Sequence, residues 1–199
     1  MAERRVCVYA GSQAGSRPAY AEAAVDVATR LIDRGYGIVY GGGKVGLMGV
    51  VADTALGLGG EVIGVIPRHL EEREIAHRGL TELRVVGSMH ERKALMATLS
   101  DAFIALPGGI GTLEELIEML TWAQLGLHAK PCGLLNVAGY YDHLVAFLDG
   151  AVREGFLPAA NRERLLIVDT DPGALIDALL ARTVDLTSDM TPNAERSAQ

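Results

Sequence analysis

The feature that most constrains this chain is a repeated alternation of short apolar runs with longer amphipathic stretches. RVCVYA (5–10) is followed by an amphipathic stretch at 18–34, GIVYG (37–41) by one at 47–58, and EVIGVIP (61–67) by the charged loop that leads to LRVV (83–86). Helical periodicity returns at 89–100, then AFIALP (102–107) precedes 112–125, CGLLNV (132–137) precedes 140–153, and LLIV (165–168) precedes 172–182. Apolar runs that do not alternate with polar residues belong in the middle of a parallel sheet, where both faces are covered. The pattern therefore predicts an α/β fold, a Rossmann-like parallel sheet of about seven strands with helices on both faces.

Hydrophobic residues make up 49% of the 199 positions, enough for one substantial core, and no shift of composition marks a second. The expectation is a single domain over 1–182 and a loosely held tail at 183–199, where the pattern lapses. With 18 Lys and Arg against 25 Asp and Glu, no basic field exists to attract a nucleic-acid polymer, so an anionic ligand must be held by local groups. The opening MAERRVCVYAGS enters a strand at once, without the apolar core and cleavage site of a signal peptide, and no apolar stretch is long enough for a bilayer. Cys7 and Cys132 lie in strand-like runs and read as buried thiols. A cytoplasmic protein with no membrane partner is expected.

Ligands of open parallel sheets bind beyond the carboxyl ends of the strands, which directs attention to AGSQAGSR, GGGKVGLMG, IPRHLEEREIAHRG, GSMHERK and PGGIGT. GGGKVG (41–46) matches G-x-G-x-x-G, but it follows the second strand, and the next strand ends VIPRH without the acidic residue that would bind a ribose. Its glycines either let a ligand approach the backbone or allow tight turns and close packing. No glycine is followed by the Lys-Ser/Thr pair of a P-loop. In PGGIGTLEEL (107–116), Gly108, Gly109 and Gly111 expose backbone donors at a helix start, a cradle of phosphate size, with Thr112 standing where an N-cap belongs. Glu115 then has two readings: a carboxylate beside a bound anion, or the reaching-back partner of Thr112 in a capping box. On the same helix, Leu113, Leu116, Ile117 and Leu120 form one apolar seam, and Met119 and Trp122 on the other side suggest contact with a second subunit.

SMHERKALM (88–96) opens with a second capping box, Ser88 and Glu91, and the helical period puts Arg92 on the buried stripe with Met89 and Met96. That guanidinium either snorkels to solvent or meets an anion at the ligand-binding edge. Lys93, about 100° round the helix, adds charge to the same anion or is solvated. The histidines and cysteines have no metal-ligand spacing, and Ser12 lacks a nucleophile elbow. Neither a metal nor a cofactor is expected. Nothing around the three lysines, 44, 93 and 130, suggests a Schiff base.

Taken together, these residues resemble the Lonely Guy family of cytokinin-activating phosphoribohydrolases. Its P-G-G-x-G-T-x-x-E pattern is matched by Pro107, Gly108, Gly109, Gly111, Thr112 and Glu115, and its Arg-Lys pair by Arg92 and Lys93; similarity runs over about 5–157. The resemblance implies a homodimer that hydrolyses N6-substituted adenosine 5′-monophosphates to free base and ribose 5-phosphate. It also implies Arg92 and Glu115 as the catalytic pair, with Gly109, Ile110, Gly111, Thr112 and Lys93 around the ribose phosphate and Leu113 and Glu114 as further substrate-binding positions. Glu74 and Thr121 align with further substrate contacts, although Glu74 is also explicable as ordinary surface charge. Gly11, Ser12, Gly42 and Gly43 are added as pocket wall. A broader AMP or nucleoside 5′-monophosphate nucleosidase, or a noncatalytic carrier of the molybdenum-cofactor type, are the alternatives.

Overall fold

The structure, a computed structural model, describes residues 2–71 and 75–189, with side chains through 183. In chain order the elements are β1 (Arg5–Tyr9), α1 (Pro18–Asp33), β2 (Gly37–Tyr40), α2 (Gly46–Gly57), β3 (Val62–Pro67), β4 (Glu82–Val86) and α3 (Met89–Leu99). They continue with β5 (Ala102–Ala105), α4 (Ile110–Gln124), β6 (Cys132–Leu135), α5 (Asp142–Arg153), α6 (Ala159–Leu165), β7 (Leu166–Asp169) and α7 (Pro172–Asp189). The strands form one seven-stranded sheet in the order β4-β3-β2-β1-β5-β6-β7, every pairing parallel. Strand order reverses between β1 and β5, and that is the point where an open sheet leaves a crevice.

Side chains alternate along β1 and so divide the core. Val6 and Val8 pack with α1, α2 and α7 on one face, whereas Cys7 and Tyr9 pack with α3 and α4 on the other. Cys7 and Cys132 are buried free thiols, as read from their strand-like surroundings. Among the described residues no helix is long and apolar enough to cross a membrane.

Two local expectations are corrected. Helix α7 continues past 182 to Asp189, because no glycine or proline interrupts 174–191 and the buried Thr183 hydroxyl donates back to Leu179 O at 3.1 Å. The rest of the expected tail, 190–199, lies outside the described residues. On α4 the buried positions are Thr112, Leu116, Met119, Leu120 and Ala123, so Met119 belongs to its own chain's core and cannot contact a second subunit. The apolar seam is rotated from the expected one, leaving Ile117 39% exposed, and Trp122 packs partly against the same core.

Candidate active site

The β1 and β5 strands leave the sheet side by side. Their pairing extends beyond the strands, with Leu106 N donating to Tyr9 O at 2.8 Å and Gly11 N to Pro107 O at 3.1 Å. The loops Ala10–Ser12 and Pro107–Gly109 thus form the floor of one cleft at the reversal point. Two lobes open from it, of about 270 and 230 Å³, and Ser12 and Gly109 border both. Arg92, Thr112 and Glu115 line the larger lobe, with Met48 and Met89 on its apolar wall. The smaller lies between Gly11, Tyr20 and Tyr140, whose hydroxyl donates to Gly108 O at 2.6 Å.

Helix α4 begins two residues earlier than its sequence suggests. Its N-cap is Gly109, in extended conformation with φ −90° and ψ −155°, and Leu113 N donates to Gly109 O at 3.2 Å. Thr112 therefore stands at the third helical position, buried, and is not the N-cap. This correction removes the capping-box reading of Glu115, which stands too deep in the helix to reach the N-cap amide. Glycine is among the residues favoured at an N-cap, and here no side chain caps the helix. A Cβ at Gly109 or Gly111 would meet nothing within 4 Å. Packing does not require glycine at either place; both open directly onto the cleft, and their amide ends belong to a helix start that favours an anion.

Helix α3 supplies the second wall. Ser88 Oγ accepts from Glu91 N at 3.2 Å, and the Glu91 carboxylate accepts from Gly87 N at 2.7 Å, so the helix starts where its capping residues place it. One turn later Arg92 is only 4% exposed. It does not snorkel: Nη2 donates to Gly41 O at 3.0 Å and lies 3.9 Å from Glu115 Oε1. The Glu115 side chain is itself 13% exposed. Its negative charge reaches beneath the cleft, where burial first, and then Glu115, raise the pKa of the Cys7 thiol; burial, Cys7 and Glu115 do the same for the Tyr9 phenol. Removing one member of a buried ion pair strands the other at a cost of about 3–5 kcal/mol, so Arg92 and Glu115 hold one another in place.

Lys93 is not part of the cleft. It turns under α4, where Nζ bonds Glu114 Oε1 and lies 3.0 Å from Glu118 Oε1. Burial opposes its charge, but the hydrogen bonds with Glu114 and Glu118 more than offset this and hold its pKa above the ordinary lysine value. It joins the helices that carry Arg92 and Glu115, a role that spacing alone did not distinguish from phosphate binding. Ile110, 87% exposed, and Glu114 border the cleft, while Leu113 packs toward the core. Thr121 is exposed three turns along α4, donating to Ile117 O at 2.7 Å, in a separate groove with Leu148 and Leu157. Gly42 and Gly43 also leave the expected wall. Gly42 has φ +80° and lies against Ile66, and Gly43 bridges to Ala76, so both serve the packing of the loop. The glycine that matters to the cleft is Gly41, which sequence reasoning missed; its carbonyl receives Arg92, and a Cβ there would lie 2.1 Å from Arg92 Nη2. Glu74 lies outside the described residues.

Residues 48–179 match the sequence family described as possible lysine decarboxylase. A probable cytokinin riboside 5′-monophosphate phosphoribohydrolase of Oryza sativa subsp. japonica is 54% identical over 176 residues, covering 88% of this chain and 77% of that protein. A cytokinin riboside 5′-monophosphate phosphoribohydrolase of Arabidopsis thaliana is 53% identical over 167 residues, covering 84% and 78%. The chain belongs to the Lonely Guy family. Among solved structures, the molybdenum cofactor binding protein of Rippkaea orientalis superposes with a TM-score of 0.66 at 21% identity, over 90% of this chain and 97% of that one. The molybdenum cofactor carrier protein of Chlamydomonas reinhardtii gives 0.65 at 22% identity, over 89% and 98%. These two share the fold with this Lonely Guy protein, and the likeness extends no further than the fold.

The decarboxylase description does not fit this member of the Lonely Guy family. None of its three lysines lines the cleft: Lys44 is exposed on its loop, Lys93 is held by two carboxylates, and Lys130 lines a cavity elsewhere. A cofactor that needs a lysine Schiff base has no partner here.

Proposed function

We propose that this protein hydrolyses the N-glycosidic bond of N6-substituted adenosine 5′-monophosphates, releasing the free base and ribose 5-phosphate. The observation that carries this reading is the convergence of Glu115 and Arg92 beside a helix start whose Gly109 and Gly111 face open space. The relatives named as phosphoribohydrolases at 53–54% identity support the reaction class.

The phosphate would sit on the amides of 109–112, and its binding energy would hold the ribose against Glu115. As the C1′–N bond breaks, positive charge develops on the ribose, and a carboxylate in a water-poor site stabilises it. Glu115 then accepts a proton from the water that adds to C1′, and the departing base takes up a proton from solvent, which Glu115 restores as it deprotonates, so that one water is consumed. Arg92, anchored by Gly41 O, fixes the carboxylate and adds a donor toward the substrate. Glu74 remains part of the proposal as a contact to the substrate.

A homodimer and a cytoplasmic setting belong to the same proposal. The groove lined by Ile117, Thr121, Leu148 and Leu157, with Phe147 70% and Phe156 86% exposed next in sequence to the two leucines, supports a second copy on the α4–α5 side, which would bring Thr121 to the interface. Two buried thiols outside any disulfide suit a reducing compartment. The test is product analysis after incubation with N6-isopentenyladenosine 5′-monophosphate and, separately, with AMP. Release of base from the first, with little from AMP, supports the proposal; equal release indicates a broad nucleosidase, and release from neither contradicts hydrolysis.

A further inference from the structure

Away from the cleft, where the ends of α4 and α6 and the second half of α7 approach the start of β6, lies a cavity of about 240 Å³. Lys130, Arg164 and Arg182 line it, from three different segments of the chain. Among the described residues none of the three forms an ion pair with a carboxylate. The chain as a whole carries a net charge of −7, so this cavity gathers cations against the overall balance.

Backbone carbonyls hold them instead. Lys130 Nζ donates to Ala97 O at 2.7 Å, Arg164 Nη2 to Ala123 O at 3.5 Å, and Arg182 Nη1 to Glu163 O and Arg164 O at 3.2 and 3.0 Å. Those acceptors lie in the last turns of α3, α4 and α6, where the helix end favours positive charge. Arg164 and Arg182 are exposed and Lys130 half-buried, and the contacts use few of their donors, since a guanidinium carries five N–H groups and an ammonium three. Burial lowers the Lys130 pKa, with Asp101 pulling it partly back up, so the ammonium is charged at a cost that a bound anion would relieve. Ala129, Pro131 and Leu165 complete an apolar wall.

We propose that this cavity is a second anion site, taking inorganic phosphate or the phosphate of a small phosphomonoester. Two guanidinium groups and an ammonium from three chain segments supply the several charge-assisted donors that a phosphate dianion accepts. The inference is independent of the chemistry assigned to the cleft. Its contacts nevertheless end on α3 and α4, the helices that carry Arg92 and Glu115.

The experiment is an amide NMR titration of the full chain with sodium phosphate and, separately, ribose 5-phosphate, at ionic strength held constant with chloride. Amides of 109–112 report the cleft; those of Ala123, Ala129, Lys130 and Leu165 report the second site. The expected result is a saturating shift of the second group below about 10 mM ligand, with its own midpoint. The double variant Arg164→Gln, Arg182→Gln should weaken that midpoint at least about tenfold, leaving the cleft shifts in place. Saturation by phosphate alone identifies inorganic phosphate as the ligand, and tighter saturation by ribose 5-phosphate identifies a phosphomonoester. Shifts confined to 109–112, or a second set that does not saturate, overturn the proposal. The wild-type titration decides the matter even should the double variant fail to fold.

Discussion

The two glycine loops at the carboxyl edge of the sheet look alike in sequence, yet Gly41 and Gly46 of the first are hemmed in by the protein while Gly109 and Gly111 of the second face open space. In 41–46, glycine is demanded by the protein itself: a Cβ at Gly46 would lie 2.3 Å from the Ser12 carbonyl carbon, and one at Gly41 2.1 Å from the Arg92 guanidinium. At Gly109 and Gly111 there is nothing to strike. The first loop needs glycine where main chain or the Arg92 guanidinium lies too close; in the second, Gly108 is closed in by Thr112 and Gly11, and only Gly109 and Gly111 leave space that a ligand could enter. Composition cannot separate these causes; only the space around each Cα can.

This contrast can be broken by substitution. The largest effect on stability is expected for Gly46→Ala, where φ is +61° and the obstruction is main chain. Strain and overpacking together should cost about 2–5 kcal/mol, read from the urea midpoint, and a variant of wild-type stability would show that the loops do not meet as described. Gly41→Ala comes next. Displacing the guanidinium should lower kcat/KM by up to about 10²-fold through misplacement of Arg92, measured on the N6-isopentenyladenosine monophosphate reaction. The smallest effect on stability has the opposite sign. Gly111→Ala, inside the first turn of α4, should stabilise the fold by about 0.5–1 kcal/mol while raising KM, because the added methyl enters the phosphate position. A stabilised variant with unchanged KM would mean that the ligand lies elsewhere.

Much of the architecture was legible because its causes are local and repeated. Seven apolar runs between amphipathic stretches required a covered parallel sheet, and Ser88 with Glu91 announced the start of α3. Helix α6 was missed because AANRERL buries only Leu165 and carries no apolar period. The orientation of α4 escaped for a related reason: with Gly109 as N-cap, the threonine that looks like a cap lies inside the helix, and Met119 turns to the core. At the site, the pairing of Arg92 with Glu115 follows a helical stripe and could be anticipated. The capture of Lys93 by Glu114 and Glu118, and the seat that Gly41 offers Arg92, depend on how two distant segments meet, which spacing along the chain does not encode.

The most direct measurement is the turnover number of Glu115→Gln, with the fold verified by circular dichroism and thermal unfolding. If this carboxylate stabilises the ribose cation and takes the proton from water, kcat should fall by about 10²-fold or more while the folded state persists. A folded Gln variant that turns over at the wild-type rate would contradict the account.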